Sequence, residues 1–259
     1  MTTYETTEPN PAAVGARPLV GAGRSIPVLY RMLLRGQLTK GRLFALGGLA
    51  AIVLLTAGLS GQATGQDGPE TAALFALGEY GIAAFVPLAA LLLASPMLGN
   101  LVEDRLLVYL WLKPTARWHL AIAAFAGVVT VLVGVTVPPL VIGSFLAGEA
   151  GLAWPLALAA VLGSLAYGAA YLFVGVRFSF GLWLGLAYVA LWENVIARLG
   201  DGPARASIRS YLMTNVQRGT RIEVLLADRA NWAAIVVPLA IAVVFVALTA
   251  RTLTTRDVD

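Results

Sequence analysis

The chain has no cysteine, so neither a disulfide framework nor a thiolate metal site can form. Its one histidine, His119, leaves zinc sites and Ser-His-Asp chemistry almost no material. Lysine is confined to Lys40 and Lys113, which follow Thr39 and Leu112; neither has the Gly-Lys-Ser/Thr order of a phosphate-binding loop, which argues against nucleotide hydrolysis by this chain. Charge is scarce, at 12% of residues. The apolar runs are almost free of the mid-membrane ionisable groups that secondary transport uses for ion coupling. Glu79 stands at the end of one run, and Glu193 near the end of another beside Trp192 and Asn194. Any pumping would draw its energy from elsewhere.

What is present is hydrophobic sequence, 59% of the chain. Six apolar stretches, at 43–59, 80–98, 120–141, 152–176, 178–196 and 232–248, approach the roughly 20 residues a helix needs to cross ~30 Å of hydrocarbon. Lipid offers no partner to an unpaired amide, and the alternating pattern of barrel strands is missing, so the spans are helical. The sequence predicts an all-α integral membrane protein with six transmembrane helices in one domain over 24–256. Residues 1–23, with Glu5, Glu8, Pro9, Pro11 and Pro18 and no basic-then-apolar order, are expected to be a disordered tail rather than a signal peptide.

Lys and Arg set the orientation. Arg17, Arg24, Arg31, Arg35, Lys40 and Arg42 precede the first span, Arg105, Lys113 and Arg117 precede the third, and Arg251 and Arg256 follow the last. These ends are predicted to be cytoplasmic, with both termini inside. The loop over 60–78 carries Asp67 and Glu70 without Lys or Arg, as expected of the other side. The long connection over 197–231 falls outside by helix count although it holds Arg198, Arg205, Arg209, Arg218, Arg221 and Arg229. Long loops obey the charge rule poorly, and a solvated amphipathic loop is expected there, with contact to acidic lipid or an acidic partner as the other reading. The net charge of +4 therefore calls for no nucleic acid.

Arg24, Arg31, Arg35 and Arg42 recur so that, at about 100° per residue, they share one helix face opposite Ile26, Leu29, Tyr30 and Leu33. This predicts an amphipathic interfacial helix over 24–42 held by anionic lipid. Gly58-Leu59-Ser60-Gly61 resembles the serine motif of rhomboid intramembrane proteases. Ser60 and His119 fall at opposite ends of their spans, about a bilayer apart, so no catalytic residue is assigned. His119 is expected to be an interfacial residue beside Trp118.

The connection over 99–118 reads as an amphipathic turn across a cytoplasmic mouth. Glu103 and Asp104 suit the N-terminus of a short helix, Pro114 stops it, and Thr115 can cap the next. With this acidic pair, the leucines Leu106, Leu107 and Leu110, and Pro114-x-x-Arg117 ahead of the third span, the chain resembles the permease subunits of the ABC-2 family of ATP-driven transporters. It departs from them at Arg105-Leu106, where relatives often have Gly-Thr, and at Ala123-Ala124, where they often have Gly-Lys.

The resemblance implies a half-transporter of a prokaryotic plasma membrane, working as an exporter and pairing with a second copy or a paralogous permease. Separate ATPase subunits would carry ATP and magnesium, so this chain would bind no cofactor or metal and would not itself be an enzyme. Glu103, Asp104, Leu106, Tyr109, Leu110, Trp111, Lys113 and Arg117 would then contact the ATPase. Gly181 and Gly185 allow close helix approach, either within the subunit or, as the resemblance favours, at a dimer seam. A site lined by aromatic and aliphatic side chains without fixed charge would suit a lipid, a hydrophobic drug or a peptide. Another reading stays open: a membrane scaffold, or a subunit passing force to an extracytoplasmic partner without moving a substrate.

Overall fold

The computed structural model describes residues 22–37, 39–62, 68–103, 116–218, 220 and 229–255, and among these every regular element is a helix. Helix α1 (Ala22–Gln37) leads into α2 (Lys40–Ser60). Next comes one continuous helical run made of α3 (Gly68–Phe75), a π-helical segment (Ala76–Phe85) and α4 (Val86–Glu103). Then follow α5 (Arg117–Leu146), α6 (Ala153–Arg177), and α7 (Gly181–Ala187), which continues as a second π segment (Tyr188–Glu193). Short α8 (Asp201–Arg205), α9 (Ile208–Gln217) and α10 (Ala233–Thr255) complete the order. Five helical stretches are long and apolar enough to cross a membrane: Lys40–Ser60, Gly68–Gly99, Arg117–Leu146, Ala150–Arg177 and Ala233–Thr255. The chain is an all-helical, multi-pass membrane protein.

The fifth apolar run, predicted over 178–196, behaves differently. It forms seven residues of α7 and six of π helix, about 20 Å of rise against ~30 Å of hydrocarbon, and then turns aside. The arginine-rich connection after it, expected from its charge to be a solvated loop, is largely helical and partly buried over its described residues. Its helix α9 is packed into the bundle against α6 and α10, with Ile208, Arg209, Leu212, Met213 and Val216 buried.

Helix α6 is the hub, packing on α4, α5, α7, α9 and α10. Its small residues let neighbours approach closely: a Cβ on Gly175 would collide with the Ser95 carbonyl, so α4 and α6 cross with their backbones in contact. Helices α2 and α10 lie at the periphery, with Phe44, Leu55, Val236 and Val243 exposed. Such side chains are the surface expected to face lipid.

Helix α1 lays a stripe of Ser25, Leu29, Leu33 and Gln37 into the bundle, while Arg31 and Arg35 stay exposed. The single helix predicted over 24–42 is two helices. The buried Gln37 amide is committed to the Leu93 carbonyl at 3.1 Å, and Thr39 is extended (φ −86°, ψ 146°) before α2 begins. Arg42 therefore belongs to α2, half-buried, and donates to Gln37 Oε1 at 3.2 Å.

Candidate functional site

Both π segments end or carry a carboxylate, and both carboxylates converge on the start of α9. Glu193, fully buried, closes the second segment. Its Oε1 accepts from the Tyr188 hydroxyl at 2.6 Å and the Ile208 amide at 3.2 Å. Its Oε2 accepts from the Ser207 hydroxyl at 2.5 Å and the Arg209 amide at 3.3 Å. A carboxylate placed on the first free amides of a helix is favoured by the helix dipole. Glu193 is thus the cap of α9, while Ser207, at the N-cap position, gives its hydroxyl to Glu193 instead.

Glu79, from the first π segment, pairs with Arg209 and, at 2.7 Å, with Arg198. Arg209 is 1% exposed and also donates to Asn194 Oδ1 at 3.2 Å. Two carboxylates and two guanidinium groups leave the cluster neutral, as interior charge requires. Glu193 lies close enough to act electrostatically on Tyr167, which sits about 15 Å along α6 from the Arg177 end at roughly 1.5 Å per residue. That is near the middle of a span. Ionisable groups at that depth are costly, and their arrangement there marks a candidate functional centre. The sequence reading left Glu193 and Glu79 at run ends, outside any site; the structure joins them into one.

Beside the cluster, α7, α6, α10 and the chain over 196–208 enclose an apolar groove of about 560 Å³. Its walls include Tyr171, Val174, Leu184, Trp192, Ile208 and Phe245. Within the cluster the Ser207 and Tyr188 hydroxyls are both given to the Glu193 carboxylate, and the described residues contain no group of three or more acids, histidines or cysteines able to hold a metal. Ser60 bonds to the Ala57 carbonyl of its own helix. His119, in the first turn of α5, is 3% exposed, hydrogen-bonded to Ser25 at 2.7 Å and edge-on to Trp118, and so joins α1 to α5. The arrangement ties the start of α9 to both π segments.

Of the residues predicted to meet an ATPase, Glu103 closes α4, and Asp104, Leu106, Tyr109, Leu110, Trp111 and Lys113 lie outside the described residues. Arg117 opens α5 and donates to the Leu253 and Thr254 carbonyls at 3.2 and 3.0 Å. It thereby caps the end of α10. Arg24 lies within α1. Gly181 and Gly185 are buried against their own chain: a Cβ on Gly181 would meet Gly175 at 2.9 Å, and one on Gly185 would meet Leu91 and Tyr171. Trp183, between them, is 69% exposed. No protein-family model matches the chain, and no curated protein matches it.

Proposed function

We propose that the chain is the membrane-spanning permease subunit of an ABC-2-type exporter in a prokaryotic plasma membrane. It pairs with a second copy or a paralogue and is driven by separate ATPase subunits. In this reading α1 lies at the cytoplasmic interface, both termini are cytoplasmic, and the α7 segment followed by α9 makes the sixth crossing. The observation that carries the reading is the joint between α4 and α5. The Glu103-Asp104 to Arg117 segment links two long helices at one end of the bundle, and Arg117 ties that joint to the last carbonyls of α10. A push on this segment would reach three helices at once. Tyr109, Leu110 and Trp111 are the apolar anchors for a partner cleft, with Glu103, Asp104, Lys113 and Arg117 setting register.

The test is purification from native membranes through a tag after Asp259, with ATP hydrolysis measured on the eluate. An ATPase should copurify with the wild type and be lost when Tyr109 and Leu110 are both changed to Ala. A solitary chain without hydrolysis would replace this reading with that of a scaffold or force-transmitting subunit. Hydrolysis and copurification unchanged in the double variant would remove Tyr109 and Leu110 from the interface.

A further inference from the structure

The polar cluster is not sealed. Glu79 and Arg198, paired at 2.7 Å, keep 22% and 38% of their side chains exposed, whereas Glu193 and Arg209 beside them are buried. The depth of this opening follows from the neighbouring helices. A Cβ on Gly163, midway along Ala150–Arg177, would meet Leu212 at 2.9 Å. Leu212 lies one turn into α9, so α9 starts about 6 Å from the middle of the bundle. Glu79 stands about 7 Å from the middle of its own run, Gly68–Gly99, on the side of α3. Both levels fall within the ~15 Å half-thickness of the hydrocarbon. They are the same whether the chain crosses five or six times, and with or without an ATPase partner.

The connection over 194–207 leaves and rejoins the bundle at this depth, because Glu193 just before it accepts from Ser207 and the Ile208 amide at its end. Between those ends Arg198, Gly200, Gly202 and Arg205 are exposed. Exposed Leu191, Val195 and Leu199 give lipid one apolar side of the connection to cover. Hydrocarbon does not suit the other side: irregular backbone and open charge at membrane depth are tolerated where protein buries them or water reaches them. Arg198 does not escape by extending to the headgroups, since its guanidinium is held on Glu79. We infer that the polar side of 194–207 lines a water-filled vestibule, which opens on the face where α3 starts and descends to the Glu79–Arg198 pair. Water and small hydrophilic solutes then reach a paired carboxylate and guanidinium from one face of the membrane, while Arg209 and Glu193 stay sealed behind that pair.

Single cysteines in the full chain, which has none of its own, test the vestibule in intact cells. Arg198→Cys reports its floor and leaves Glu79 paired with Arg209. Gly202→Cys reports its wall, at a position with open space for a side chain. Ile52→Cys is the control at matched depth, being 51% exposed on α2 and next to Val53, which a Cβ on Gly81 would meet at 3.9 Å. Val243→Cys, 70% exposed and midway along α10, is a second control. The probe is a membrane-impermeant trimethylammonium methanethiosulfonate. It reacts with thiolate, which apolar surroundings suppress, so the Arg198 and Gly202 variants should be modified at least about tenfold faster than the two controls, the factor of one unit in thiol pKa. Their reaction should come from the side that modifies Gln62→Cys. Rates as slow as those of the controls would overturn the vestibule and leave the pair to lipid or to a second subunit. So would access from the side that modifies Ser179→Cys. Fast reaction at Gly202 with slow reaction at Arg198 would overturn its depth, because water would then stop short of the pair.

Discussion

Glu193 combines two tasks at one carboxylate: it caps α9, and it anchors the end of its own helix through Tyr188 and the start of α9 through Ser207. Removing it strands four donors in a buried site, so Glu193→Ala should destabilise the protein by about 3 kcal/mol or more. Glu193→Gln keeps the shape but only one acceptor oxygen, and should lie between Ala and the wild type. Thermal unfolding in detergent gives the ranking; a Gln variant as stable as the wild type would show that the charge at 193 is irrelevant. Glu79 and Arg209 should respond unequally. Arg209→Met leaves Glu79 with Arg198, whereas Glu79→Gln strands a guanidinium that is 1% exposed, so the second change should cost more. Adding Arg209→Met to Glu79→Gln should recover part of that loss, because the stranded charge goes with it.

Among the elements, helix crossings through glycine are the positions of least tolerance. Gly175→Ala would drive a methyl into the Ser95 carbonyl, and with backbone on both sides nothing can yield cheaply. Gly134 in α5 has nothing within 4 Å of a built Cβ. Gly134→Ala should be neutral or stabilising by about 0.5–1 kcal/mol, whereas Gly175→Ala should lower folded yield several-fold, read as monodisperse protein after gel filtration. Long apolar runs such as 120–141 and 152–176 were legible because length and composition alone demand a buried helix. At 178–196 the composition reads as one straight span, because apolar content does not record where a helix widens to π geometry and stops at Glu193. Arg209 was hidden for a different reason. Nothing near it in sequence announces a buried position, since its carboxylate partner Glu79 lies in another helical run and its fit depends on tertiary packing. His119 and Ser25 are a smaller case of the same blindness. Only the apolar side of α1, with Leu29 and Leu33, was visible as a stripe, and its polar ends Ser25 and Gln37 needed the packed neighbours to be recognised.

For the whole molecule the number of crossings decides the placement of the termini, and it turns on the segment between Arg177 and Ala233. Helix α7 and its π extension begin at the end of the bundle where α6 finishes and reach Glu193 near mid-depth. Helix α9 starts at that carboxylate, and its far end meets the start of α10, where Asn215 Nδ2 donates to the Ala234 carbonyl at 2.9 Å. Thr220 beyond it bonds Glu70 at the start of α3, at 2.7 Å. In the six-crossing reading, two half-length pieces in series cover the depth that one long helix covers elsewhere, and the polar cluster bridges their break. Because the chain has no cysteine, single cysteines report sidedness without background. In intact cells an impermeant maleimide should label exposed positions Gln62, Ala150 and Ala230 and spare Thr39, Ser179 and Thr255 until the membrane is opened. Labelling of Ser179 and Ala230 from the same side would mean that the segment turns back, leaving five crossings and the termini on opposite faces. That outcome conflicts with one contact: α5 and α6 return the chain to the face of Arg117, so a segment that turned back would put the end of α10 on the opposite face, away from Arg117, which donates to the Leu253 and Thr254 carbonyls. Two crossings separate Thr39 from Arg117 and keep them on one face in either case, so Thr39 and Thr255 labelled from the same side count six crossings, and labelled from opposite sides count five.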